Sequence, residues 1–206
     1  MLTALAFNCT LKKSPQTSST EKLMLQFLTA LESQDVRGEM VRPVDYDIKP
    51  GITSDEGPGD AWPDLRKRVM KADIIVVGSP IWLGQPSSVA KRVLERMDAF
   101  LGEKDDFGRM PSYGKVGVVN AVGNEDRAHH VAAEALQALI EVGFSVPPGG
   151  VAYWVGEATG SVNYIDLKNT PEALADWINM LAANTAHLAR ILKDCPFPGR
   201  PQGIPN

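Results

Sequence analysis

Asp73-Ile74-Ile75-Val76-Val77-Gly78-Ser79-Pro80-Ile81-Trp82-Leu83-Gly84-Gln85-Pro86-Ser87-Ser88 is the stretch on which the fold turns. Ile74 to Val77 is an uninterrupted β-branched run, with an acid before it and Gly-Ser-Pro behind it. Such a run reads as a strand buried on both faces, the kind found inside a parallel sheet. Beyond it Pro80 fixes φ and removes a donor, Gly84 permits an unusual dihedral, and Pro86 opens a segment that leads into a helix. The expectation is a rigid loop, Ser79 to Pro86, at the carboxyl end of a central strand. Ligands of open α/β sheets bind at that end, and an indole at Trp82 beside backbone donors suits a flat, heteroatom-rich ring. An indole packed in the interior is the other reading of the same residue.

Upstream, Leu2 to Phe7 reads as strand one and leads into a polar loop, Asn8 to Thr20. A helix then starts near Ser18 or Ser19, because Leu23, Met24, Phe27, Leu28 and Leu31 share one helical face, and Ser18 with Glu21 has capping-box spacing. Thr10, Ser14, Thr17, Ser18, Ser19 and Thr20 offer hydroxyls, Lys12 and Lys13 offer charge, and the helix start offers free N–H groups. Together these suit one phosphate; a solvated loop ending in an ordinary cap is the bland alternative. The loop holds neither G-x-x-x-x-G-K-[ST] nor G-x-G-x-x-G, which turns the reading away from nucleoside triphosphatases and dinucleotide Rossmann sites and toward a monophosphate.

Strand two reads as Gly38 to Arg42, at an edge because Pro43 follows. The Pro-, Gly- and Asp-rich run from Pro43 to Trp62 is long for a connector and reads as a lid or a subunit contact, with Asp55 and Glu56 as solvated acids. Leu65, Val69 and Met70 mark a short helix. After the central loop, Val89, Val93, Leu94, Met97 and Phe100 form the inner face of a helix, with Lys91, Arg92, Glu95 and Arg96 as its wet side. Lys115 to Val122 is the next strand and ends in Gly123-Asn124-Glu125-Asp126; a helix with Val131, Leu136, Leu139 and Ile140 inside follows. His129 and His130 are adjacent, a poor spacing for one metal, and read as surface or packing residues. The fifth strand lies within Val142 to Val155, split by Pro147 to Gly150. Thr170 as N-cap and Pro171 as N1 start the last helix, which ends by Asp194.

Alternating strands and helices with right-handed crossovers predict an α/β fold: a five-stranded parallel sheet, order 2-1-3-4-5, with helices on both faces. One domain spans residues 1–194, and the Pro-rich tail 195–206 is either disordered or an arm across a neighbouring subunit. Of 206 residues, 44% are hydrophobic and 22% charged, with a net charge of −4, so no broad footprint for nucleic acid is present. Cys9 and Cys195 stand far apart, which argues against a metal cluster or a disulfide framework and fits a cytoplasmic setting. No export signal and no membrane-spanning run of about eighteen apolar residues is visible.

Gly78-Ser79-Pro80-Ile81-Trp82-Leu83-Gly84-Gln85-Pro86-Ser87 resembles the P-I-[YW]-x-G loop of the flavodoxin-like NADPH-dependent FMN reductases, a group related to iron–sulfur flavoproteins and flavodoxin-like quinone reductases. Asn8 to Thr20 resembles that family's phosphate loop, and Val122 to Asp126 its third, ring-edge loop; the likeness runs from about residue 1 to 160. The resemblance implies FMN with its phosphate among Thr10, Lys12, Ser18, Ser19 and Thr20. It implies the isoalloxazine against Ser79, Pro80, Ile81, Trp82, Leu83 and Gly84, with Val122, Gly123, Asn124 and Glu125 on the other edge. The phosphate loop here is longer than the compact Gly-Asn-Thr form and contains Pro15, and the cysteine cluster of the iron–sulfur branch is missing. The implied activity passes electrons from NAD(P)H through FMN to a quinone, flavin or similar small acceptor, in a homodimer or homotetramer. The flavin performs the chemistry, so no catalytic side chain and no metal are expected. An FMN electron carrier without NAD(P)H activity and a flavin-free regulatory module are the rival readings.

Overall fold

Ile74 to Val77 are fully buried in the computed structural model, which describes residues 1–157 and 160–200. They open the central strand of a parallel sheet. In chain order the elements are β1 (Leu2–Asn8), α1 (Ser19–Glu32), β2 (Val36–Val41), α2 (Trp62–Lys71), β3 (Ile74–Trp82), β4 (Gln85–Pro86), α3 (Ser88–Met97), β5 (Val116–Gly123), α4 (Ala128–Glu141), β6 (Val151–Val155) and α5 (Glu172–Asp194). The sheet runs β2-β1-β3-β5-β6, the expected order, and the two-residue β4 folds back on β3 alone. Alternate strand residues feed two cores. Ala4, Ala6, Ile74, Val76, Val116 and Val118 pack under α1 and α5, whereas Leu5, Phe7, Ile75, Val77 and Val119 pack under α2, α3 and α4. No helix among the described residues is long and apolar enough to cross a membrane.

Several boundaries and faces differ from the sequence expectation, each for a visible reason. β3 does not stop before Gly78: it continues through Pro80, which sits opposite Val122, to Trp82. Strand two starts at Val36 and ends at Val41, earlier at both ends than expected. Pro171, not Thr170, is the N-cap residue of α5, because the Thr170 hydroxyl is taken by Gln26 Nε2 at 2.7 Å. Ile140, expected inside, is half exposed. Residues 195–200 lie against the chain's own 107–113 segment: Phe197 meets Tyr113 edge to face, and the Arg200 N–H donates to the Phe107 carbonyl at 2.7 Å. The rest of the tail, 201–206, lies outside the described residues.

Arg96, expected on the wet side of α3, is fully buried and pairs with an equally buried Asp60 at 2.7 Å. Its other nitrogen donates to the Lys49 carbonyl at 2.9 Å, and its guanidinium lies 5.9 Å from the Trp62 ring centroid. Asp60 also accepts N–H bonds from Lys49, Glu56 and Trp62. The Pro43 to Trp62 run is therefore pinned to α3 rather than hung as a free lid, and Arg92 adds a bond to the Ile48 carbonyl at 2.7 Å. Asp55 and Glu56 have partners within it, since Asp55 accepts from Gly57 and Glu56 from Thr53.

A smaller device sets the carboxyl end of the sheet. The Ser87 hydroxyl donates to the Cys9 carbonyl at 2.6 Å and accepts the Ala90 N–H at 3.1 Å, capping α3. The Ser87 N–H donates to Ser79 Oγ at 2.9 Å, and the Cys9 N–H to the Gly78 carbonyl at 2.8 Å. The ends of β1 and β3 and the start of α3 are thereby locked together.

Burial pushes the Asp60 carboxyl up, but the Glu56 and Trp62 N–H groups, Arg96 and the Lys49 N–H outweigh it and leave it below the ordinary carboxylate range. Because the folded value lies below the unfolded one of about 3.9, its contribution is complete above that pH and is lost as pH falls through the folded value. Asp60→Asn or Arg96→Met should cost about 3–5 kcal/mol, read from the urea midpoint. Asp60→Asn should in addition flatten the loss of stability below about pH 4. Ser87→Ala should cost about 2 kcal/mol, since a buried cap and a buried carbonyl partner go together; an unchanged thermal midpoint would contradict the brace.

Candidate functional site

Residues of the polar loop after β1 and of the start of α1 meet the central hairpin in one cleft at the carboxyl end of the strands. Its wall includes Thr10, Lys12, Ser18, Ser19, Thr20, Pro80, Ile81, Trp82, Val122, Gly123 and Asn124, all singled out in the sequence. Asn163, Tyr164 and Ile165, which sequence reasoning missed, complete it. Ser79, Leu83, Gly84 and Glu125 are not on that wall. Ser79 is turned into the Ser87 brace, Leu83 is 90% exposed, and Gly84 lies against Arg127.

The hydroxyl end is built on the start of α1. Ser18 is its N-cap, with extended backbone, and its Oγ accepts the Glu21 N–H at 3.0 Å. The capping box is half made, because the Glu21 carboxylate turns to Arg42 at 2.6 Å. Thr10 Oγ1 accepts the Lys12 N–H at 3.3 Å, and Ser19 Oγ accepts the Ile165 N–H at 3.2 Å. Each hydroxyl thus has an N–H on its oxygen and keeps its own proton to give. The N–H groups of Ser19 and Thr20 have no carbonyl within the helix to bond, and they stand at the positive end of its dipole. Lys12 Nζ gives one of its three donors to the Thr17 carbonyl at 3.3 Å. A set composed of donors fits an anion.

Arg42 holds this loop from beneath. It is nearly buried and donates to the carbonyls of Lys12 at 3.2 Å and Gln16 at 2.6 Å. From the outside, Asp45 accepts both the Ser14 N–H and the Ser14 hydroxyl, and these bonds hold its carboxyl below the ordinary range. Arg42 reads in the sequence only as the end of a strand, because its partners lie on a loop more than twenty residues earlier.

The other end of the cleft is apolar and rigid. Leu83 and Gly84 both have positive φ, 52° and 71°, so the link from β3 to β4 is a two-residue turn of the primed kind. That turn presents Trp82 half exposed at the mouth of the cleft, not packed in the interior. Across the mouth, Gly123 has no side chain because a Cβ there would meet Ile81 at 2.9 Å. Arg127, in the left-handed region at φ 72°, begins α4 and lays its chain across Gly84, where a Cβ would meet it at 2.3 Å.

Two asparagines lie just below. Asn8 and Asn120 are fully buried and stand in register on either side of Gly78, two residues before the cleft-lining Thr10 and Val122. Asn8 Oδ1 takes the Thr10 N–H at 3.4 Å, while Asn8 Nδ2 and Asn120 Oδ1 have no protein partner. Cys9, beside them, is fully buried, and burial pushes its thiol well above the usual range, so it is no thiolate nucleophile. His129 packs edge-on to Tyr153, and His130 meets Glu134 at 2.8 Å and Gln85 at 3.1 Å. No group of three or more metal-ligating side chains gathers among the described residues.

Comparison with known proteins matches this geometry to a family. The model of the NADPH-dependent FMN reductases matches residues 2–160. The 8-demethyl-8-aminoriboflavin-5'-phosphate synthase of Streptomyces davaonensis is 35% identical over 206 residues, covering 95% of this chain and 80% of that protein. A crystal structure of RosB with bound 8-demethyl-8-formylriboflavin-5'-phosphate superposes with a TM-score of 0.88 at 36% identity, covering 96% of this chain and 82% of the other. A Mycobacterium bovis protein named divalent metal cation transporter MntH is 36% identical over 98% of this chain, which spans only 31% of that protein's length. The apo form of an NADH:FMN oxidoreductase shares the fold, with a TM-score of 0.65 at 18% identity over 92% of this chain and 89% of that one. The chain belongs to the NADPH-dependent FMN reductase family.

Proposed function

We propose that the cleft holds FMN and that the protein is an oxidoreductase passing electrons from NAD(P)H through it to a quinone, flavin or similar small acceptor. The observation that carries this reading is the pairing of a donor-rich cradle at the start of α1 with an apolar, indole-bearing hairpin at the other end of one cleft. Thr10, Lys12, Ser18, Ser19 and Thr20 would hold the phosphate. Pro80, Ile81 and Trp82 would flank the ring on one side and Val122, Gly123 and Asn124 on the other. Ser79 and Gly84 set the hairpin's shape from outside the wall, and Leu83 and Glu125 belong to the same loops. The flavin, when bound, supplies the electron chemistry. The protein's residues bind and orient it and shape access to its face. A cytoplasmic homodimer or homotetramer goes with this reading, and the exposed Trp82 and Leu83 at the mouth support a neighbouring surface there.

A second reading is favoured by the 35–36% identity to the synthase and to RosB, against 18% to the NADH:FMN oxidoreductase. In it the riboflavin phosphate is the molecule acted on, at its 8-position, rather than a resident cofactor.

The visible spectrum of the purified protein, before and after incubation with FMN and desalting, tests the shared part. Retained flavin bands that bleach on anaerobic addition of NADPH or NADH are the expected result, and bands that persist with both would favour an electron carrier. A mass change of the flavin during aerobic incubation would move the assignment to the second reading. Gly84→Val forces a β-branched side chain into positive φ and against Arg127, so FMN affinity should fall about tenfold by fluorescence titration. Unchanged affinity would remove the hairpin from the site.

A further inference from the structure

The cleft has a wall that comes from outside the residues the family model matches. Asn163, Tyr164 and Ile165 line it, whereas the match ends at residue 160. This segment is held to α1 by a dedicated set of bonds. Lys22 Nζ donates to the carbonyls of Leu167 at 2.7 Å, Tyr164 at 3.1 Å and Ile165 at 3.4 Å, and it lies 5.2 Å from the Tyr164 ring centroid. One turn further along α1, Gln26 accepts the Tyr164 hydroxyl and donates to Thr170 Oγ1. Tyr164 is fully buried, with its ring centroid 5.3 Å from that of Trp154. Burial pushes its phenol up, so it stays a hydrogen-bond donor to Gln26.

The ammonium of Lys22 has three donors, and three carbonyls meet them. It has no N–H left for a ligand, although it belongs to the first turns of the helix that begins the cradle. Its effect on the site runs through the segment it holds. That segment ends at the Ile165 N–H, which sits on Ser19 Oγ at 3.2 Å. With one of its lone pairs held there, the Ser19 hydroxyl is fixed in place with its proton free to give. Releasing the segment would free the hydroxyl to rotate, and a donor held in one orientation toward an anion would be lost.

We infer that Lys22 and Gln26 are positioning residues: through residues 164–167 they orient Ser19 as a donor and make the cleft select a flavin carrying a 5'-phosphomonoester over one without it. This rests on the FMN reading above and adds what sets the selectivity. The selectivity depends on the orientation of a neutral hydroxyl, so it does not require the Lys22 charge at the ligand.

Fluorescence titration of the full chain with FMN and with riboflavin measures the ratio of the two affinities, in the wild type and in Lys22→Met, Gln26→Leu and Lys22→Arg. Both Lys22→Met and Gln26→Leu should lower FMN affinity by about tenfold, as expected for a lost hydrogen bond to a charged group. Riboflavin affinity should stay within about twofold. Lys22→Arg, which can still serve the carbonyls, should keep more of the ratio than Lys22→Met. Equal losses for both flavins, or an unchanged ratio, would overturn the inference. A loss in Lys22→Met without one in Gln26→Leu would overturn it too, by making Lys22 a direct ligand. Gln26→Leu leaves the charge in place and decides the matter where Lys22→Met does not fold. A wild type that takes up neither flavin would instead sink the FMN reading itself, a result distinguishable from the others.

Discussion

One hydroxyl governs where the two halves of the cleft stand relative to each other. Ser87 is nearly buried and uses both its proton and its oxygen, the first on the Cys9 carbonyl and the second on the Ala90 N–H. The polar loop after β1 leaves the sheet directly after Cys9, and the hairpin leaves it after Pro80, next to Ser79, whose hydroxyl accepts the Ser87 N–H. Without this junction the loops would be joined through the β1–β3 register at Asn8 and Gly78 and the Cys9 N–H on the Gly78 carbonyl. Backbone groups at the end of a parallel sheet need partners outside the ladder, and here the partners are side chains that also set the site. Site geometry and backbone satisfaction are the same set of bonds.

The fold was legible because its signals are local and repeated. Ile74 to Val77 could only be an interior strand, and the alternation of such runs with amphipathic helices leaves few topologies once crossovers are right-handed. The faces of α1 and α3 followed from period, with Leu23, Met24, Phe27, Val93 and Met97 all buried. Arg96 broke the rule, because its burial depends on Asp60, thirty-six residues earlier, and no helical period contains that partner. The extent of β3 departs from the sequence pattern for a related reason. Pro80 looks like a strand terminator, yet it lies in register with Val122, at the end of the ladder where a missing N–H costs little.

The cleft was legible where it is made of loops that directly follow strands, and illegible where it is not. Thr10, Ser18, Trp82 and Gly123 all stand within a few residues of a strand end or a helix start, which is where a reader of sequence looks. Asn163 to Ile165 follow β6 by several residues and carry no phosphate or ring signature. Their placement is decided by Lys22 and Gln26, more than a hundred residues away, and by a buried ring stack with Trp154. Hydrogen bonds from long side chains to distant carbonyls leave no periodicity behind. Arg42 leaves no sequence pattern for the same reason, since its partners are the carbonyls of Lys12 and Gln16.

The cleft wall divides into a hydroxyl-bearing end and an apolar end. Among the described residues, no carboxylate, thiol or imidazole lies on it. Cys9 is sealed beneath, and His130 is committed to Glu134 and Gln85. Arg42 approaches the cradle from beneath with its charge matched by Glu21, so it shapes the loop without adding a free cation to it. The hydroxyls each use their oxygen on an N–H and offer their proton, while the apolar end is fixed by a turn that a β-branched residue would not adopt at Gly84. A cleft of that kind can orient a bound group at both ends and leave its middle chemically undisturbed. That division suits a ligand whose own ring carries the reactivity, and the residues that matter most are then those that hold the walls apart at the right distance.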